Sequence, residues 1–365
     1  SVQVSLFDKQ ALYMTQNLDI GTVKVREFLE SVENNVLDYI SVLEEYIQYE
    51  FDMFKNGYLK DKDIKNVIAI GDEIKNINRL IPELHLTDTM SYEQILYIYK
   101  KIKKASYQDI ALKYGLSIED ARMVLPSVLI YKIFLERSKA DTIYICATNL
   151  CDGSVVDYAQ ETKKIKLSHD FYQDIVASAK YIGKRYRYSK VHAQYITDLA
   201  LEIFDKTKKF HGLTQRDRLI LEISAILHDI GKYVNLNDPG KNGYQLIMST
   251  EIMGLSHRER EEVANIVLYN TQELPDTDEL DTVFWREEYL RIAKLSSILR
   301  LANALDRGHK QKLEKCSMAR KGKELIISLE TNQDITLEIT RFSKKAENFS
   351  EFTGITPVLK QKRAL

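Results

Sequence analysis

Cysteine is scarce in this chain: Cys146, Cys151 and Cys316 are the three among 365 residues, and none sits in a CxxC pair. That excludes a disulfide framework and gives no sign of a thiolate zinc site or thiol redox chemistry, so a reducing cytoplasm is the compartment the sequence fits. An excess of either charge is missing too. The 52 Lys and Arg nearly cancel the 53 Asp and Glu, leaving a net charge of -1. A surface built throughout for nucleic acid or an anionic membrane is thereby excluded, and any polyanion site has to be local. Long apolar runs are also lacking, with no stretch near the roughly 18 residues of a membrane span. The opening Ser1-Val2-Gln3-Val4-Ser5-Leu6-Phe7 has no basic segment with an apolar run behind it, as a secretory signal would. It has no initiating Met and alternates apolar and polar from its first residues, so the sequence is expected to be a fragment that opens within a strand. Internal repeats and low-complexity segments are absent.

What is present is a chain too long for one comfortable core, and its periodicities change twice. From Ser1 to about Gln160, β-rich runs at Val2 to Phe7, Asn66 to Ile70 and Asp141 to Ala147 alternate with amphipathic helices, which predicts an α/β layer domain. One of those helices follows Ser117-Ile118-Glu119-Asp120 and carries Val124, Leu125, Val128, Leu129 and Ile133 along one face. From Leu167 to Arg307 the strand signals stop. Ile223, Ile226, Leu227 and Ile230 form one helical stripe, and Leu290, Ala293, Ser297 and Leu301 another. Thr214-Gln215-Arg216-Asp217 and Ser256-His257-Arg258-Glu259 mark helix starts, and Asn235 to Gly240 reads as a loop. After Arg307, Glu324 to Leu329 and Ile335 to Ile339 alternate as two strands of a terminal hairpin or small α/β cap. The expected division is therefore 1–160 (α/β), 161–310 (all-α) and 311–365 (a small β-containing end).

The chemistry-bearing residues gather in the helical part. His192 lies in the helix of Val191, Tyr195, Leu199 and Phe204; His228-Asp229 ends the helix from Leu219 to Ile230; Asp306 closes the helix through Leu299 to Leu305. Two imidazoles and two carboxylates at the polar edges of helices that pack together can converge on one divalent cation, Mn, Fe, Zn or Mg. Lys232, one turn beyond His228-Asp229, could then hold a phosphate as a point charge. The order His192, His228-Asp229-Ile230-Gly231-Lys232, Leu305-Asp306 resembles the H...HD...D pattern of the HD phosphohydrolase superfamily. Asn242 and Asn270 stand where two-metal members add histidines, so the resemblance implies at most one ion.

The chain as a whole resembles the exopolyphosphatase and guanosine pentaphosphate phosphohydrolase (Ppx/GppA) family. The residues that carry the likeness are Leu18-Asp19-Ile20-Gly21-Thr22-Val23-Lys24-Val25-Arg26, then Leu116-Ser117 with Ala121-Arg122 and Pro126, then Gly254-Leu255-Ser256-His257-Arg258-Glu259-Arg260. The resemblance implies two RNase H-like subdomains of the actin-like ATPase type with Mg at their site, a helical HD-type domain, and often a small terminal domain and a homodimer. It also implies that Ser1 follows the family's glycine-rich phosphate turn, and that the first subdomain with its catalytic glutamate lies upstream, outside this sequence. Gly71 marks the second phosphate turn. There the chain reads Ala69-Ile70-Gly71-Asp72-Glu73-Ile74, placing acid where the family has glycine and threonine, and Leu150-Cys151-Asp152-Gly153 matches another family turn only loosely, without its Arg.

Basic residues form two runs. Lys100, Lys101, Lys103 and Lys104 read as a solvated face; Lys180, Lys184, Arg185, Arg187 and Lys190 interleave with Tyr181, Tyr186 and Tyr188 and lead into His192, as a phosphate-binding surface would. Ser106 to Ser117 has helix-turn-helix spacing with Gly115 at the turn, but the neutral balance and its place within the α/β part argue against nucleic acid as partner. Three readings of function follow: a family phosphohydrolase on polyphosphate or guanosine pentaphosphate, an HD-type metal-dependent hydrolase of nucleotide or alarmone esters, and a non-catalytic polyphosphate or alarmone sensor.

Overall fold

A computed structural model describes residues 1–8, 11–32, 38–59, 62, 64–80, 88–146, 148–167, 169–275, 286–312 and 315–362. The chain is mixed α/β and mostly helical. It divides into two compact units, Ser1–Val4 with Gln16–His169, and Ser5–Thr15 with Asp170–Leu365. The opening strands β1 (Val2–Asp8) and β2 (Ala11–Leu18) pair as a two-stranded sheet whose central residues count with the second unit.

The first unit continues through α1 (Thr22–Val32), α2 (Tyr39–Phe54) with a π turn at Lys55–Leu59, β3 (Val67–Ile70), α3 (Asp72–Arg79), β4 (Thr89–Ser91), α4 (Tyr92–Ile102), α5 (Tyr107–Tyr114), α6 (Ile118–Ser138), β5 (Thr142–Cys146) and α7 (Leu150–Glu161). A three-stranded sheet in the order β3-β5-β4 pairs β5 parallel to β3 and antiparallel to β4. The strands expected at 66–70 and 141–147 therefore form, apart from Ala147, which lies outside the described residues. Alternation along them buries Ala69, Ile143 and Met90 and leaves Ile68, Ile70 and Tyr144 exposed. Ser117 caps α6 by accepting the Asp120 N–H, and Val124, Val128, Leu129 and Ile133 are buried along it. The helix-turn-helix spacing is also real, α5 ending at Gly115 in the left-handed region (φ 64). Its second helix is nonetheless buried over most of its length and opens on exposed Glu119 and Asp120, which would repel a phosphate backbone.

The second unit holds α8 (Phe171–Arg185), α9 (Lys190–His211), α10 (Gln215–Leu227), a 3-10 turn at Ile230–Tyr233, α11 (Pro239–Met248), α12 (His257–Thr271), α13 (Arg286–Ala304), β6 (Lys315–Lys321), β7 (Glu324–Glu330), α14 (Thr336–Thr353) and β8 (Thr356–Lys362). Thr214 and Ser256 close reciprocal capping boxes with Asp217 and Glu259, which fixes where α10 and α12 begin. One apolar core runs from Ile196, Ile223 and Leu227 through Leu295 and Leu301 to Leu325, Ile327 and Phe349, so the terminal strands share it with the helices. In the predicted second stripe Ala293, Ser297 and Leu301 are buried but Leu290 is 42 % exposed.

The end of the chain differs from the expected hairpin. Residues 335–339 are not a strand: Asp334 accepts the Thr336 N–H and hydroxyl, α14 starts there, and Glu338, Phe342, Phe349 and Thr353 are buried at helical spacing. Five alternating residues fit either period, and the longer stripe decides. The hairpin is instead β6 with β7, turning through Gly322 (φ 62), with β8 added parallel to β7. Among the described residues no helix is long and apolar enough to cross a membrane.

Candidate metal centre

Two helix ends and one turn build the site. His192 is the third residue of α9, which follows a tight reversal from α8 where Arg187 has φ 52 and the Tyr188 ring lies where a side chain on Gly183 would be. His228 caps the C-terminus of α10, Asp229 opens the 3-10 turn, and Gly231 lies in that turn. A Cβ on Gly231 would fall 1.9 Å from the Pro239 carbonyl oxygen and 2.5 Å from the Gly243 nitrogen, so only glycine lets the start of α11 pack here and hold Asp229 and Lys232 in place. Beyond α13, His309 and Gln311 adopt φ of 53 and 44, conformations that cost side-chain-bearing residues on the order of 1 kcal/mol each. The turn is held by Asp306, whose carbonyl accepts the His309 N–H at 3.0 Å.

These elements bring together every residue that the sequence assigned to the cluster: His192, His228, Asp229, Asp306 and Lys232. They add one that it missed, His309. The His192 and His309 rings stack at 3.6 Å with 16° between their planes. His192 Nε2 is 3.2 Å from His228 Nε2 and 3.8 Å from Asp229 Oδ2, and His309 Nε2 is 3.6 Å from that same oxygen. Ligands bonded at 2.0 to 2.1 Å around a tetrahedral ion stand about 3.4 Å apart, so these separations suit one small dication. His192, Asp229 and His309 alone offer three ligand atoms within 4.8 Å of one another.

Tautomers follow from the outer partners. His228 Nδ1 is 2.7 Å from the Ala225 carbonyl, which can only accept, so Nδ1 carries the proton and Nε2 is bare. Burial pushes His228 down, so its ring is neutral. His192 Nδ1 likewise donates to Asp306 Oδ2 at 2.7 Å. The two buried Nε2 atoms, in rings each 1 % exposed, lie 3.2 Å apart, within hydrogen-bond distance. Either a proton on one ring or a metal ion shared by both satisfies the pair.

Asp306 has no oxygen to spare. Oδ1 accepts the Lys310 and Gln311 N–H groups at 3.0 and 2.8 Å, and Oδ2 accepts His192 Nδ1 and the Gln311 side chain at 2.7 and 2.6 Å. Burial would raise its pKa, but the hydrogen bonds from His192 and Gln311 outweigh this and hold it down. Asp306 thus touches His192 from behind. Burial would also raise the Asp229 carboxyl; the neighbouring His228 and Lys232 outweigh it and bring it down to about 2. His309 is pushed down to about 4 by burial, then by His192 and Lys232, so it too presents a bare nitrogen at neutral pH.

The remaining candidates lie apart from the cluster. Lys184, Arg185 and Arg187 are exposed on the α8–α9 reversal. An edge-on contact of the Tyr186 and Tyr233 rings at 5.7 Å sets that reversal beside the turn bearing Lys232. Ser1 and Gly71 belong to the first unit. Ser1 lies against Gly21, where a Cβ would come within 2.7 Å of the Ser1 nitrogen. Gly71 (φ 144) caps α3, whose first turn holds Asp72 and Glu73, and these two line a cleft with Asn76, Asp120, Met123, Val124 and Ser127. Three carboxylates in that lining oppose a phosphate.

Fold and site together describe a mixed α/β chain whose larger unit packs helices around a buried His–Asp cluster, three of whose residues could hold a metal ion. Residues 176–346, slightly under half of the chain, match the family model described as Ppx/GppA phosphatase, domain III, and all six cluster residues fall within the match. The chain is similar to the Aquifex aeolicus Ppx/GppA phosphatase in its type II variant, at 15 % identity over 42 % of this chain and 52 % of that one, TM-score 0.36. It is similar to a further structure of the Aquifex aeolicus Ppx/GppA family member at 15 % identity over 46 % and 54 %, TM-score 0.38. The chain spans about half the length of these structures. No curated protein matches it.

Proposed function

We propose that the second unit is an HD-type phosphohydrolase centre in which His192, His228, Asp229 and His309 hold one divalent cation, with Asp306 orienting His192. On this reading the first unit is part of an RNase H-like subdomain of a Ppx/GppA-type protein, and the chemistry open to this chain is hydrolysis of a phosphate ester or anhydride of a nucleotide or guanosine alarmone. The observation that carries the reading is the convergence of ligand atoms from His192, Asp229 and His309 within 4.8 Å of one another, with His228 Nε2 3.2 Å from His192 Nε2.

The donor set of ring nitrogens and one carboxylate suits Mn, Fe or Zn, and a bound ion supplies stabilisation of phosphoryl charge. The chain's own residues do the rest. Asp306 fixes the His192 tautomer and ring angle, as carboxylates behind ligating histidines do. The Ala225 carbonyl does the same for His228. Lys232 offers a point charge to a phosphate oxygen, and the exposed Lys184, Arg185 and Arg187 supply a local positive field on a chain of nearly balanced charge.

Metal analysis of the purified chain beside His228→Ala tests this. Stoichiometric Mn, Fe or Zn lost in the variant, with phosphate released from guanosine nucleotides, is the expected result; no metal in either protein overturns the reading. A second reading, a polyphosphate or alarmone sensor, is favoured by the acidic turn at Gly71 and would show ligand binding without turnover. Processive phosphate release from long-chain polyphosphate is not expected of this chain, and such release surviving both His228→Ala and Asp229→Ala would contradict that.

A further inference from the structure

Lys232 already occupies two of the atoms that an ion would need. Its Nζ is 2.6 Å from Asp229 Oδ2 and 3.2 Å from His309 Nε2. An ammonium only donates, so His309 accepts this bond with the one lone pair of its neutral ring. A dication bound by His309 requires that same lone pair, and its charge opposes the ammonium that shares the Asp229 carboxylate. Lys232 and the ion therefore exclude each other at His309 and repel each other at Asp229.

We propose that Lys232 is a tethered cation that satisfies Asp229 and His309 in the metal-free protein, and that metal loading displaces it to become the site's anion-binding group. The proposal rests on the metal-centre reading above and gives that site its regulation: metal and tetrahedral anion bind with positive coupling, because each stabilises the arrangement in which Lys232 has left Asp229. The geometry allows the movement. The Lys232 side chain is 33 % exposed and that of His309 34 %, so the ammonium lies at the open side of the cluster, while His192, His228 and Asp306 line the closed side. Linkage makes the coupling reciprocal, so the anion tightens the metal as much as the metal tightens the anion.

The experiment is titration calorimetry of Mn2+ into the metal-stripped chain, with and without sulfate as a tetrahedral dianion, for the natural sequence, Lys232→Met and Lys232→Gln. Each charge-assisted hydrogen bond that the ion no longer has to break is worth on the order of a tenfold, so both variants bind Mn2+ about tenfold or more tightly without sulfate. Sulfate tightens Mn2+ on the natural chain and leaves the variants unmoved. The two substitutions differ in polarity, and thermal melts of both establish that the unit is folded. Mn2+ bound by the natural chain with an affinity that neither variant raises, or with sulfate dependence surviving in the variants, overturns the exchange while leaving the metal centre intact. Mn2+ bound by none of the three overturns both. Mn2+ bound only by the variants supports the exchange in its strongest form.

Discussion

The two units differ most in the polar groups they bury. The second buries polar groups at depth: His192, His228 and Asp306 are each 2 % exposed or less, and their outer atoms are matched by Asp306, Ala225 and the 310–311 turn. Both units expose some apolar residues, Val191 and Leu236 among them in the second, but in the first they gather on a sheet face and a helix. Ile68 and Ile70 on β3 and Tyr144 on β5 share one sheet face and are 67, 64 and 46 % exposed, and Leu150, Val155 and Tyr158 are exposed on α7. Burying a polar cluster is costly unless it is matched, and here the rings and the Asp306 carboxylate have partners in place. The acidic turn at Gly71 pairs its acids at the surface instead, Asp72 with Lys75 and Glu73 with Thr22.

The largest effect that sharpens the contrast is at Gly231. A methyl group there would meet backbone on two sides, and backbone does not yield as a side chain does, so Gly231→Ala should cost more than about 3 kcal/mol and dismantle the 3-10 turn that positions Asp229 and Lys232. Urea unfolding together with metal content would read both losses. Next comes the core beside it: Leu227 is fully buried, and Leu227→Ala should cost about 3 kcal/mol by the same measurement.

Smaller is an electrostatic difference between the units. Burial would raise the Glu259 carboxyl, but Arg216, bonding both its oxygens, and the Ser256 N–H outweigh it and bring it down to about 2. Its folded pKa lies below the ordinary 4.5, so its contribution is complete above that value and is lost as pH falls from about 4.5 towards 2. Arg216 is 45 % exposed and the pair is screened, so Glu259→Gln should cost only about 1 kcal/mol at pH 7 and flatten the acid limb of the second unit's melting curve. In the first unit the one described carboxyl that is held low, Asp38, is fully exposed. An unchanged acid limb in Glu259→Gln would mean that the pair carries none of the second unit's acid sensitivity.

Much of this could be read from residues alone, for reasons that also explain what could not. His192, His228-Asp229 and Asp306 were legible because their types and order are rare on helices otherwise apolar, and the capping box at Thr214 fixed the frame of α10, which ends at His228. His309 was not. It lies three residues after Asp306, a signal in itself, but in a left-handed turn where helical spacing no longer says which way a side chain points. Nor could spacing show that Asp306 gives its oxygens to the turn that follows, since that depends on backbone N–H groups whose direction only the fold sets. The strand β6 escaped because Lys315-Cys316-Ser317-Met318-Ala319-Arg320-Lys321 has too little apolar alternation, and 335–339 misled because its alternation is too short.

The smallest expected effect is the one most able to break the comparison. Ile68 is a large apolar residue on a strand, and by composition alone its loss should resemble that of Leu227. Its side chain is two-thirds exposed, however, so Ile68→Thr removes little surface from the interior and keeps the β-branch that suits a strand. The expected change in unfolding free energy is within about 0.5 kcal/mol, as for other exposed sites. A cost near that of Leu227→Ala would mean that the β3–β5 face is covered in the folded protein and that the first unit buries its apolar groups as the second does. A cost near zero would leave that face as surface available to be covered, and the asymmetry between the units as a property of the chain itself.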